Sequence, residues 1–423
     1  MSPKLFSMFK NHDLSSNQIK KDIVSGIIVA IIALPLSIAL AISSGVSPEK
    51  GLITAIFAGF IISFLGGSKV QIGGPTGAFV VIVYGIVKSH GMQGLIISTI
   101  MAGFILIMMG LLRLGDLIKY VPKTITVGFT SGIAITLLIT QIKDLLGLKI
   151  KNVPAEALEK VESYIHNIDT FNMMTFIVGV VCILVMVYWP KINKSIPGSI
   201  IALVLATIVV KIFNIQIDTI GSVYSEISSS IPMPSIPKLN LEKIVSLIQP
   251  AFTIAILAAI ESLLSCVVAD KMIDDKHDSN MELIAQGLGN IASALFGGIP
   301  ATGAIARTAA NVRNGGKSPI SGMIHAIVLL LIMVVLMPLA KLIPMTVLSA
   351  ILIIVSYNMG EWSEFKEMLH LPKKDVIVLV TTFVLTIVFD LVVAIGIGMA
   401  IHLIFMITAK GNEPQEVEMN EAV

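Results

Sequence analysis

The chain has 423 residues, 55% of them hydrophobic and only 13% charged, with a formal net charge of +2. Soluble domains carry about 25% charged residues, so the composition excludes a large soluble enzyme and points to an all-α polytopic membrane protein. The small charge gives no reason to expect nucleic acid as a partner, and Cys182 and Cys266 lack CxxC or His spacing, so neither a metal site nor a disulfide framework is expected.

Residues 1–22 are polar, with Lys20 and Lys21 just ahead of the first apolar run, which predicts a cytoplasmic N-terminus without a cleaved signal. A spanning helix needs roughly 20 mainly apolar residues, and on that ruler about fourteen transmembrane segments follow. In the first half they are 23–44, 51–66, 69–88, 92–112, 121–141, 172–188 and 197–213. In the second they are 244–269, 282–296, 297–313, 318–340, 344–360, 374–390 and 391–408. In each half the third segment, thus segments 3 and 10, is broken by Gly and Pro and reads as a short strand plus a half-helix. An odd number of segments per half reverses the second half in the membrane. The prediction is a 7+7 inverted repeat over 23–213 and 244–408.

Lys and Arg, from Arg113 and Lys123 to Lys373 and Lys374, favour the side holding the N-terminus, and Trp189 and Trp362 fall at helix ends on that side. The 142–171 connection contains Ala155 to Ile165, with Leu158, Val161 and Ile165 on one helical face. It reads as an interfacial helix without chemistry. The 214–243 connection is rich in Pro and Ser. Residues 409–423 form a short acidic tail, read as cytoplasmic, with no room for a further domain.

Two stretches carry the function. Gly73–Ala78 reads GGPTGA and Gly297–Ala304 reads GGIPATGA, followed by Arg307. Irregular backbone at membrane depth must be buried in protein or line a cavity. Half-helices starting near Thr76 and near Thr302–Gly303 would aim free N–H groups at a shared anion. The expected substrate site is Gly74, Pro75, Thr76, Gly77, Ala301, Thr302, Gly303 and Arg307, with Pro75 and Pro300 fixing the chain direction. Arg307, a turn into its half-helix, would reinforce the anion preference or snorkel to the interface. Glu261 lies mid-span in segment 8, where a charge costs on the order of 2.5–3.5 kcal/mol, and Ser265 shares its face at i+4. Either a proton neutralises Glu261 or Na⁺ binds there, with Ser265 and Thr302 as further oxygens. His325 and His402 read as packing histidines, Asp390 as interfacial, and Asp274–Asp278 as a solvated connection. No Ser-His-Asp set, HExxH or Walker loop appears, so neither an enzyme nor an ATP-driven pump is expected.

These motifs, with VQIGGPTGAF (70–79), RLG (113–115), VP (121–122), GFTSG (128–132), Gln141, IESLLS (260–265), GGIPATGAIARTAANVRNGG (297–316) and FDLVVAI (389–395), resemble the sulfate permease (SulP) family of anion transporters. The resemblance implies that segments 1–4 and 8–11 form a core, that 5–7 and 12–14 form a gate, and that an elevator motion carries the anion. It implies a coupling-ion role for Glu261 and Ser265, and an anion role for Arg307. Family members usually carry a C-terminal STAS domain, and the short tail of this sequence leads to the expectation of none here. Leu36 and Ser37 follow Pro35 where many sulfate-type members have glutamine. The expected activity is secondary transport of a dicarboxylate, sulfate or bicarbonate, coupled to H⁺ because Glu261 resembles proton-coupled relatives. The alternatives are Na⁺-coupled bicarbonate symport, nucleobase–cation symport and an uncoupled anion channel. A homodimer in the inner (plasma) membrane, both termini cytoplasmic, is the expected assembly.

Overall fold

The structure, a computed structural model, describes residues 2–116, 122–150, 152–193, 196–224, 227–237, 241–389 and 391–410. Val121 of the VP pair, Asp390 and residues 411–423 of the tail lie outside these.

The chain opens with α1 (Lys4–Lys10) and α2 (Ser16–Ser43), the latter capped by Ser15, whose hydroxyl accepts from the Gln18 N–H. α3 (Pro48–Leu65) begins on proline, where no N–H is needed. Past β1 (Gly73–Gly74) comes α4 (Phe79–Leu111), two helices joined at Gly91, whose φ of 67° suits glycine. α5 (Lys123–Leu146) ends on left-handed Gly147. Then follow α6 (Ala157–His166), α7 (Met173–Ile192), α8 (Gly198–Ile212), and the short α9 (Ile220–Val223) and α10 (Leu241–Ser246). α11 (Ile248–Ile273) and α12 (Ser279–Leu295) lead to β2 (Thr302–Gly303) and α13 (Ile305–Arg313). The chain continues through α14 (Ile320–Ala340), α15 (Met345–Met359), α16 (Trp362–Met368), α17 (Lys373–Val388) and α18 (Leu391–Lys410).

Among the described residues, eight helices are long and apolar enough to cross a membrane. α8 is apolar but shorter. α12, at 17 residues, is also short, and it is less apolar because it buries Glu282, Gln286, Asn290 and Ser293, which hold other chain segments. α2, α3, α4, α11, α12, α13 and α14 pack on one another, most closely α4 on α12 and α14 on α2 and α3. At the α4–α12 crossing a Cβ on Gly287 would meet the Gly103 carbonyl, so the two backbones touch, as small residues allow in membrane helices. A second set gathers around α5, which packs on α15 and α17, while α7 packs on α8 and α15.

The connection before α7 holds a helix where the sequence predicts one, and the structure adds its facing. α6 is a helix, but the face that packs on the bundle is not the apolar one. Leu158 and Ile165 are 60% and 66% exposed, whereas Ala157, Lys160 and Tyr164 turn inward. A helix lying at a membrane surface gives its leucines to lipid and leaves its other face for protein.

Candidate functional site

β1 and β2 pair antiparallel, Gly73 opposite Gly303 and Gly74 opposite Thr302. So short a ladder leaves most of the nearby backbone in need of partners, and buried backbone groups without them are costly. Side chains supply them. Asn290 donates from Nδ2 to the Ala301 carbonyl and accepts from the Ala301 N–H, both at 2.9 Å. Thr54 accepts from the Ile299 N–H at 2.7 Å, and Thr308 accepts from the Ile72 N–H at 3.0 Å. Asn311 donates to the Val70 carbonyl at 2.9 Å.

Below β1, Glu282 is fully buried and fully used. Its Oε2 accepts from the Gly67 and Ser68 N–H groups at 2.9 and 3.3 Å; its Oε1 accepts from Gln71 and Gln286, both at 2.9 Å. This carboxylate pins the approach to β1 onto α12. Sequence reasoning missed it. The available signal was a polar stripe, since Glu282, Gln286 and Asn290 recur every fourth residue of one face.

Beyond the strands the two chains enter α4 and α13. The Phe79 N–H donates to the Thr76 carbonyl, so the Gly77 and Ala78 N–H groups head the first helix without helical acceptors. In α13 the Thr308 N–H donates to the Ala304 carbonyl, which leaves Ile305, Ala306 and Arg307 at its head. α13 therefore begins later than the sequence suggested. Thr302 and Gly303 belong to the strand, and Ala301 is held in place by Asn290.

α11 serves both segments from adjacent positions. Glu261 is half-buried, and its Oε2 accepts from the Thr76 hydroxyl at 2.8 Å. Ser262, fully buried, shares a 2.6 Å hydrogen bond with the Thr302 hydroxyl and accepts from the Gly303 N–H at 3.0 Å. Ser265 lies deeper, its hydroxyl 3.5 Å from that of Thr308, and no hydrogen bond joins it to Glu261. Gly77 lies under Leu137 of α5 and Met359 of α15, and a Cβ there would press on the end of the Leu137 side chain.

Arg307 is 4% exposed and does not snorkel. Its Nη2 donates across to the Pro75 carbonyl, while Nη1 lies against Gly74 with no partner. Among the described residues no carboxylate pairs with it. Two chain ends with unpaired N–H groups thus meet beside a buried, unneutralised guanidinium, and such an arrangement favours a negative charge. His325 of α14 is buried near Gly59, and neither ring nitrogen has a partner among the described residues. The Asp274–Asp278 connection is structural. Asp275 is 3.3 Å from both Lys4 and Lys69, and Asp278 accepts from the Asn280 and Met281 N–H groups. Burial opposes the Asp275 charge, but the Lys276 backbone and the two lysines hold its carboxyl below the usual range.

The sulfate permease family profile matches residues 19–382. The chain belongs to the sulfate permease family, and it is accordingly an anion transporter of the membrane rather than an enzyme. It is similar to YvdB of Bacillus subtilis, provisionally named a sulfate transporter, with 44% identity over 94% of this chain and 75% of YvdB. It is also similar to the bicarbonate transporter BicA of a Picosynechococcus species, at 32% identity over 94% of this chain and 72% of BicA. The transmembrane domain of a cyanobacterial BicA has the same fold, with a TM-score of 0.81 and 29% identity over 90% of this chain and 98% of that domain.

Proposed function

We propose that the chain is a secondary active transporter that carries a small oxyanion (sulfate, bicarbonate or a dicarboxylate) together with a proton. The anion binds between the starts of α4 and α13, at Gly74, Pro75, Thr76 and Gly77 on one side and near Ala301, Thr302, Gly303 and Arg307 on the other. The observation that carries this reading is the 2.8 Å hydrogen bond from Thr76 to Glu261, which joins a carboxyl to one of the two helix starts that would hold the anion. A carboxylate beside an anion repels it. Protonation of Glu261 removes that repulsion and frees Thr76 to donate to the anion, so each ligand favours the other.

The proton is preferred to Na⁺ on geometry. A Na⁺ cage at Glu261 would need further oxygens gathered round its carboxylate, but the Ser265 and Thr302 hydroxyls meet Thr308, Ser262 and the Ala258 carbonyl instead of Glu261. In this reading α2–α4 and α11–α14 are the moving core and α5–α8 and α15–α18 the gate, each drawn from both inverted seven-segment repeats, and the core slides against the gate. Both termini face the cytoplasm, and a homodimer would keep the gates fixed. The test is uptake by purified protein in proteoliposomes, with sulfate, bicarbonate and fumarate offered in turn and H⁺ and Na⁺ gradients imposed separately. Accumulation driven by an inward H⁺ gradient is the expected result. Accumulation that follows Na⁺ and ignores pH overturns proton coupling in favour of the Na⁺ reading.

A further inference from the structure

We propose that Lys160 forms a separate anion-binding site at the mouth of a cavity on the α6 face, where a small oxyanion is captured before it reaches Thr76 and Glu261. The proposal rests on the transport reading above. A cavity of about 680 Å³ lies between α4, α5, α6, α11 and α17. Its lining includes Ala78, two residues past Thr76, and His90, together with Lys160, whose ammonium lies over Tyr84, midway between those two along α4. Ala78 and His90 bound the same helical stretch and are about 18 Å apart along its axis. The cavity therefore runs from the α6 face to the start of α4.

Lys160 is 3% exposed, yet it lines this space. Among the described residues its ammonium has no hydrogen-bond acceptor and no carboxylate partner. Its one contact for charge is the Tyr84 ring, with Nζ 4.9 Å from the centroid. An ammonium has three donors, and none of these meets an acceptor among the described residues. The neighbours do not relieve it. Tyr84 and Lys88 of α4 both donate to the Val153 carbonyl, at 2.8 and 3.1 Å, which holds a second cation close by. The other titratable groups around it are His90 on α4, Glu156 and Tyr164 on α6, and Asp144 beside Tyr164 at the end of α5. Glu156 is exposed and forms no ion pair with it; α11 and α17 bring Thr253, Gln249 and Thr386, which are neutral. Burial, and then the charge of Lys88, lowers the Lys160 pKa to about 8, so at neutral pH it remains an unneutralised cation. The ligand that answers unused N–H donors, excess positive charge and neutral hydroxyls is a small oxyanion.

The test has two arms. In the first, detergent-purified protein is treated with trinitrobenzenesulfonate, in sodium sulfate or in sodium isethionate of equal ionic strength, and labelled lysines are read by peptide mass spectrometry. Sulfate is expected to slow labelling of Lys160 about fivefold by occupancy, while exposed Lys149 on the same face is unaffected. In the second, Lys160→Gln in proteoliposomes is expected to raise the KM for sulfate uptake about three- to tenfold at low ionic strength, with Vmax kept. The difference should fade at high salt as screening removes attraction, and Lys160→Arg should keep the KM low. Equal labelling of Lys160 with and without sulfate overturns the site, whatever transport shows, and so does an unchanged KM in a folded Lys160→Gln variant. Protection of Lys160 in a protein that accumulates no anion leaves this site standing and defeats the transport reading instead.

Discussion

On the β1 side of the strand pair, Thr76 is half-buried, stands past the strand, and spends its hydroxyl on Glu261. On the β2 side, Thr302 is fully buried within the strand, and its hydroxyl is engaged with Ser262 and the Ala258 carbonyl. The pairing register explains the difference. Gly74 opposes Thr302, so the two threonines of GGPTGA and GGIPATGA occupy different positions relative to the ladder. One segment therefore offers a polar group that can change partners. The other offers a rigid strand and a charge, Arg307, which reaches back to the first segment through the Pro75 carbonyl. Matched motifs need not share the work equally.

The comparison can be broken from either side. The largest effect is expected from Arg307→Met, which keeps the stem but removes the charge. Anion affinity should fall at least tenfold, about 1.4 kcal/mol, as read by the KM for uptake. Unchanged affinity in a folded variant would make Arg307 a packing residue. Next is Thr302→Val, which strands the Ser262 hydroxyl in a dry site at a cost of about 1–3 kcal/mol. A lower unfolding temperature in detergent is expected, with KM shifted less than by Thr76→Val. Thr76→Val should show the reverse: near-normal unfolding temperature but weakened anion binding and a changed pH dependence of uptake. If both valine variants behave alike, the asymmetry argued from the register is wrong. The smallest effect is a pH term. Lys160 is charged below about 8 and neutral above, because its pKa is lowered by burial and by Lys88. Its contribution to low-salt affinity should be present at pH 7 and lost as pH rises through 8, a step absent from Lys160→Gln.

Much of this was legible in the chain itself. The long apolar runs, the interruption of two of them by GGPTGA and GGIPATGA, and the isolated Glu261 each carry their own physical signal, since a break or a charge at membrane depth is costly. What was not legible depends on register and on facing. A one-step shift in pairing decides whether a threonine lies in a strand or beyond it, and nothing in the local pattern reports that. The inward face of α6 was passed over because the apolar pattern marks the opposite face, where Leu158 and Ile165 are exposed, and says nothing of Lys160. Glu282 was passed over because a carboxylate near a predicted helix start reads as solvated. Only the structure supplies the four donors that it binds.

The central claim is that Glu261 couples the proton to the anion, and Glu261→Gln tests it most directly. Glutamine keeps the shape and the hydrogen bond from Thr76 but can neither gain nor lose a proton. In proteoliposomes the variant should still exchange labelled for unlabelled anion at equilibrium, yet fail to accumulate anion against its gradient under an imposed pH difference. Accumulation at the wild-type level would contradict the account.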